Sequence, residues 1–240
     1  MKSRITKGHW LNEKPVAHRG LHNEIYGENS LSAYKHAIEN GYPIEMDVQA
    51  SKDGVLFCFH DDWLERVTGK KAYINDLTAE EIKQIKFIKT NDTIPTFEEF
   101  LALVNGQVPL MIEIKQQRSK AYDIARLTVD ALKDYKGEYV VQSFDPFIMQ
   151  KVKKYAPHII RGQLGGLGER GNMSFIKYLV VKHLILNFLS KPDYINYYLY
   201  CKRKKGKTPM VVWTVRTEED LKVARERGVN FVFESVNVER

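Results

Sequence analysis

Short β-branched runs alternate with longer segments of helical spacing along most of this chain, and that alternation narrows the available folds more than any other feature. The runs are VAHRG, IEMDV, LMIEIK, YVVQSF, IIRGQL, LILNF, MVVWTV and FVFES. Between most of them lie SLSAYKHAIENG, SKAYDIARLTVDALKDY, DPFIMQKVKKY, PDYINYYLYCKRKK and EEDLKVARERG, whose apolar residues recur at the helical period. The last closes on Gly228 after two arginines, a C-terminal stop. Strands alternating with helices form a parallel sheet, and eight such strands close a (β/α)8 barrel. The expectation is an α/β TIM barrel.

One run breaks the alternation. VLFCFHD follows IEMDVQ after only ASKDG, a tight turn carrying Gly54. Strands joined so closely must be antiparallel, because a parallel crossover needs a dozen or more residues. Val55 to Phe59 is therefore expected as a hairpin strand outside the barrel count, with His60 at its end. A longer excursion follows, residues 61–93, with a helix expected at TAEEIKQIK. The chain re-enters through IPTFEEFLALV, where Thr96 and Glu99 have the spacing of a capping box. The excursion reads as an insertion on a single domain covering residues 1–240. No internal repeat, low-complexity tract or flexible linker interrupts it.

Composition bounds the partners. A hydrophobic content of 43% and a charged content of 28% are those of an ordinary globular protein. The net charge of +7 suits an anionic substrate or surface, but the basic residues are dispersed, and no nucleic-acid partner is expected. The exception is CKRKKGK, Cys201 to Lys207, which reads either as a solvated loop or as a peripheral contact with anionic lipid or polymer. Two cysteines, Cys58 and Cys201, make neither a disulfide framework nor a cysteine-rich zinc site. Cys58 is expected to pack as a small hydrophobe. The N-terminus lacks the apolar stretch of a secretory signal. The longest apolar stretch, Phe175 to Leu189, is too short to span a bilayer. A cytoplasmic protein without an integral membrane segment is expected.

Residues two apart on a strand share a face. Glu45 and Asp47 therefore project together, as do Glu113 and Lys115 on the next barrel strand. Each pair alone is equally a surface face or a salt bridge. Both together, flanked by apolar residues, raise the cost of leaving the carboxylates without a cation. Glu45, Asp47 and Glu113 form a hard oxygen set suited to Mg²⁺ or Ca²⁺. Arg19, a planar fork, and Lys115, a point charge, suit a phosphate. His18 and His60 each end an apolar strand; either is a structural hydrogen-bonding residue, or the two supply an acid and a base near neutral pH. These residues fall at or near strand C-termini, the catalytic face of barrel enzymes. Together they suffice for metal-assisted P–O cleavage. GQLGGLGERG, Gly162 to Gly171, lacks the order of a phosphate loop and reads as a strand-to-helix loop.

At these residues the chain resembles the glycerophosphodiester phosphodiesterase family. His18-Arg19-Gly20 matches the opening His-Arg-Gly, and GENS (Gly27 to Ser30) matches its Pro-Glu-Asn-Thr-like element. IEMDVQASKDGVLFCFHD follows the long Glu-x-Asp to His-Asp signature almost position by position. RVTGK, NDLTAEEI, IPTFEEFL, IEIK, VQSF and VVWTV complete a match from about Val16 to Val215. The resemblance implies His18 and His60 as catalytic acid and base. It implies Glu45, Asp47 and Glu113 as ligands of one divalent cation, Ca²⁺ or Mg²⁺, and Arg19 and Lys115 as phosphate ligands. Trp213 is implied as an apolar wall for the glycerol side, with a barrel-core aromatic as the alternative. Gln142 and Ser143 either approach the ligand or pack. Glu28 and Asn29 organise the first loop and helix cap, with Glu28 behind the direct ligands.

The chain departs from the family pattern twice. Gly27 replaces the usual proline, expected to loosen a loop, and FVFESVN carries Glu234 where Thr-Asp is usual. The expected activity is metal-dependent hydrolysis of small glycerophosphodiesters to sn-glycerol 3-phosphate and an alcohol. A lysophospholipase D-like enzyme acting on acylated substrates, or a non-catalytic phosphoester- or lipid-binding module, are the alternatives.

Overall fold

The computed structural model describes residues 4–118, 121–167, 174–201 and 206–238. Its strands are β1 (Val16–Ala17), β2 (Ile44–Ala50), β3 (Leu56–Cys58), β4 (Leu110–Ile114), β5 (Tyr139–Ser143), β6 (Arg161–Gly165), β7 (Tyr194–Tyr198), β8 (Met210–Val215) and β9 (Asn230–Phe233). The helices are α1 (Trp10–Glu13), α2 (Leu31–Glu39), α3 (Glu65–Thr68), α4 (Ala79–Lys83), α5 (Phe97–Val104), α6 (Ile124–Ala131), α7 (Pro146–Tyr155), α8 (Phe175–His183), α9 (Asn187–Ser190) and α10 (Glu218–Glu226). The sheet runs β1-β9-β8-β7-β6-β5-β4-β2-β3, and a β1–β2 pairing closes it. Eight parallel strands make the barrel. β3 lies outside it, antiparallel to β2, with Val48 opposite Cys58. The expected fold and its hairpin strand are both present.

The contacts divide the chain into two units, Ala17–Tyr139 and Met1–Val16 with Val140–Arg240. In the first, β2 is buried along its whole length. Its period of two sends Ile44, Met46 and Val48 to one face and Glu45, Asp47 and Gln49 to the other. The parallel register with β4 pairs Glu45 with Met111 and Asp47 with Glu113. α2 starts at Ser30, whose hydroxyl accepts from the Ala33 N–H, and it packs Tyr34 on Phe100 of α5 at 4.4 Å between ring centroids. α5 opens with the expected capping box of Thr96 and Glu99. The excursion carries α3, a 3-10 turn at Ile74–Asp76, and α4, itself boxed by Thr78 and Glu81. It has its own apolar core, where Leu64, Ile74, Ile82, Ile85 and Phe87 pack with Phe57 and Phe59. Cys58 is buried, as expected.

The second unit corrects one part of the sequence reading. LILNF is not a strand, and PDYINYYLY is not a helix. Leu184 adopts φ 56° and ends α8, and α9 then runs from Asn187 to Ser190. The barrel strand is β7, Tyr194–Tyr198, paired with β6 and β8. Its residues at 194, 197 and 198 mimic one helical face. Burial of Tyr194, Ile195, Asn196 and Tyr197 on both faces of a central strand overrides that spacing. CKRKKGK and GQLGGLGERG lie partly outside the described residues. Among the described residues no helix is long and apolar enough to cross a membrane.

Candidate active site

Seven of the eight expected site residues belong to the first unit, and the barrel strands bring the three carboxylates together. Glu45, Asp47 and Glu113 are buried, and each offers a carboxylate oxygen within 4.8 Å of the others. The Lys115 ammonium lies 3.0 Å from Asp47 Oδ1 and donates to Glu113 Oε1 at 2.6 Å. The Arg19 backbone N–H donates to Glu45 Oε2 at 3.1 Å, and its Nε lies 3.5 Å from Asp47 Oδ2. His18 Nε2 stands 4.0 Å from Glu45 Oε2.

Local backbone geometry aims these groups. Arg19 is held at φ 54°, a conformation that costs a non-glycine residue about 1 kcal/mol or more. It persists because Arg19 donates through its N–H to Glu45 and accepts at its carbonyl from the Asn29 N–H at 2.9 Å. Gly20 follows at φ 80°. A Cβ there would stand 2.9 Å from the Ala33 carbonyl carbon, so only glycine lets this loop lie against α2. Asn29 donates to Asp47 Oδ2 at 2.9 Å and accepts from the Tyr34 hydroxyl at 2.8 Å.

The electrostatics separate the two β2 carboxylates. Burial raises the pKa of the Asp47 carboxyl, but Lys115, His60, Arg19 and the Asn29 hydrogen bond outweigh it and hold Asp47 well below the usual range. Glu45 goes the other way. Burial, and the charges of Asp47 and Glu113 beside it, push it well above the usual range against Arg19 and Lys115. Lys115 loses from burial but gains more from Asp47 and Glu113, and stays cationic. Three buried carboxylates converge beside two cations, a cluster of hard oxygen donors. Glu45, Asp47 and Glu113 could hold a metal ion, and their donor chemistry suits a hard cation.

His60 ends the hairpin with its Nδ1 2.6 Å from Asp61 Oδ1. Burial raises the Asp61 carboxyl, yet the His60 and Arg66 hydrogen bonds overcome it and keep it ionised. An ionised carboxylate only accepts, so the proton between them is carried by His60 Nδ1. Gln49 fixes this corner: the two N–H donors of its Nε2 lie among the carbonyls of Phe59, His60 and Asp61 at 3.1, 3.1 and 2.8 Å.

Three contributors were not legible as such in the sequence. Asp61, Gln49 and Arg66 each act through another residue. Arg66 in particular sits within RVTGK with no spacing to tie it to the site. Gly27 also differs from expectation, because its loop is clamped rather than loosened. Its N–H donates to Asp92 Oδ2 at 2.9 Å, and a Cβ would stand 2.4 Å from the Phe87 ring. Gln142 and Ser143 pack. Gln142 Oε1 accepts from Tyr194 and Asn196 at 3.2 and 3.0 Å, and the Ser143 hydroxyl accepts from the Asp145 N–H. In the second unit, Trp213 is half-buried against Phe144 and Tyr198, each 5.5 Å away between ring centroids. Glu234 pairs there with Arg216 Nε at 2.5 Å.

This chain is similar to known proteins along most of its length. The model of the glycerophosphoryl diester phosphodiesterase family matches residues 18–234. A glycerophosphodiester phosphodiesterase of Caldanaerobacter subterraneus is 33% identical over 229 residues, covering 90% of each chain. Among solved structures, an Oleispira antarctica phosphodiesterase in complex with the product sn-glycerol-3-phosphate superposes with a TM-score of 0.77 at 21% identity, covering 93% of each chain. A glycerophosphodiester phosphodiesterase of Thermotoga maritima does so with a TM-score of 0.67 at 25% identity, covering 93% of this chain and 95% of that one.

Proposed function

This chain belongs to the glycerophosphoryl diester phosphodiesterase family and is a glycerophosphodiester phosphodiesterase; on that premise we propose that it hydrolyses deacylated phospholipids to sn-glycerol 3-phosphate and an alcohol, with a divalent cation and two histidines. The observation that carries this reading is the buried trio of Glu45, Asp47 and Glu113, flanked by Arg19, Lys115, His18 and His60.

Glu45, Asp47 and Glu113 would hold Mg²⁺ or Ca²⁺, which when bound polarises the phosphoryl oxygens and offsets their charge. Arg19 keeps its fork oriented through Glu28, to which Nη1 donates at 2.7 Å, and offers its remaining donors to the phosphate. Lys115 supplies a second positive charge between Asp47 and Glu113. His60, its Nδ1 proton committed to Asp61, accepts a proton at Nε2 from the attacking hydroxyl or water. His18, beside the Glu45 carboxyl, donates a proton to the leaving alcohol oxygen. Trp213 is read as the apolar wall for the glycerol side, supported by its half-buried ring among aromatic neighbours.

The test is release of glycerol 3-phosphate from glycerophosphocholine and glycerophosphoethanolamine by purified protein, with Mg²⁺ or Ca²⁺, with chelator, and with His18→Ala alongside. Cation-dependent turnover lost in the variant supports the reading. Folded protein that turns over neither substrate with either cation overturns it.

A further inference from the structure

Arg66 belongs to the excursion, 38 residues beyond Glu28 in sequence, yet its guanidinium is shared between Glu28 and Asp61. Nη1 and Nη2 donate to the two oxygens of Glu28 at 2.8 and 2.6 Å, and Nε donates to Asp61 Oδ2 at 2.5 Å. Each carboxylate has a second task. The other oxygen of Asp61 meets His60 Nδ1 at 2.6 Å, and Glu28 Oε1 also accepts from Arg19 Nη1 at 2.7 Å. One planar cation thus joins the holder of the proton-transfer histidine to the holder of the phosphate-binding arginine.

We propose that Arg66 is a positioning residue that sets His60 and Arg19 together, through Asp61 and Glu28. The inference rests on the roles assigned to His60 and Arg19 above. Only a guanidinium serves here, because three coplanar donors must reach two carboxylates at once; an ammonium supplies one point of charge and no fork. The side chain of Arg66 is half exposed, whereas those of Glu28 and Asp61 are 16% and 22% exposed. Its removal would therefore leave two mostly covered anions without their common partner. His60 and Arg19 would then each keep a carboxylate whose own orientation is no longer fixed. The excursion acts on the chemistry without touching substrate.

The experiment uses the full chain and follows turnover together with the ring nitrogens of His60 by ¹⁵N-edited NMR. Arg66→Ala is expected to lower kcat/KM ten- to a hundred-fold, the range typical of losing an orienting partner. The His60 Nδ1 proton signal should broaden or disappear, while cooperative thermal unfolding is kept. Arg66→Lys should recover little. Millimolar guanidinium should restore several-fold activity to Arg66→Ala and nothing to Lys71→Met, an exposed charge removal five residues away. Retained kcat/KM with an unchanged His60 signal would overturn the proposal, as would loss of activity that guanidinium leaves untouched while the ring signal persists. Should wild-type protein turn over no glycerophosphodiester, the functional reading fails, and the His60 ring signal in Arg66→Ala still decides whether Arg66 positions that ring.

Discussion

Asp47 and Glu113 are register partners across the parallel pair β2 and β4, and both meet the same ammonium, Lys115 Nζ, at 3.0 and 2.6 Å. Two neighbouring strands thus present like charges side by side in a buried place, an arrangement that stands only with cations between them. Lys115 arrives two residues beyond Glu113, on the same face of the chain.

Lys115→Met removes the charge and keeps the volume. Losing one partner of a buried ion cluster costs about 3–5 kcal/mol. Urea unfolding in chelator should show a loss of that order, and millimolar Mg²⁺ or Ca²⁺ should restore more stability to the variant than it adds to wild type. Equal shifts in both proteins would mean that the carboxylates do not share a cation site.

Glu28 gives a pH dependence. Burial alone would raise its carboxyl, but the Arg66 hydrogen bonds and the Arg19 and Arg66 charges lower it to about 2. A carboxyl depressed in the folded state contributes stability that is complete above its unfolded pKa of about 4.3 and disappears as pH falls toward 2. Wild type should therefore exceed Glu28→Gln in urea midpoint at pH 7, and the gap should shrink between pH 5 and pH 2. A gap that stays constant across that range would contradict the assignment.

Gly27→Pro installs the residue that the family pattern favours and is expected to harm this chain. It deletes the N–H that donates to the Asp92 carboxylate and drives ring atoms toward Phe87. Loss of a hydrogen bond to a charged group costs about 2 kcal/mol, and the overlap adds to it. Differential scanning calorimetry should show a lower Tm; an unchanged or raised Tm would show that the loop adapts freely.

Gln49→Leu keeps the size of the side chain and deletes the amide that holds three consecutive carbonyls at the His60 corner. The carbonyls lose two N–H donors, at about 1 kcal/mol for each bond. Steady-state kinetics should show kcat falling about ten-fold or more, the scale of a lost supporting contact, with KM changing less. A variant with unaltered kcat would show that His60 needs no such mount.

Much of this molecule was legible in one dimension because its signals are local. Period-two alternation placed Glu45 with Asp47 and Glu113 with Lys115. The five-residue gap ASKDG forced β3 to run antiparallel. The capping box at Thr96 marked the start of α5. Where periodicity was ambiguous it misled, as at Tyr194–Tyr198, whose aromatic spacing suits a helix and whose burial demands a strand.

By itself, then, the sequence determined the barrel, the hairpin strand and the donor chemistry, since alternation, turn length and side-chain type are properties of neighbouring residues. Only the tertiary structure decided that Arg66 bridges Glu28 and Asp61, that Gln49 caps the His60 corner, and that Gly27 is clamped by Phe87 and Asp92. Each joins segments from 10 to 65 residues apart. Such contacts depend on where a folded excursion returns to the barrel, and no local pattern encodes that return, because packing rather than spacing brings those donors and acceptors within reach.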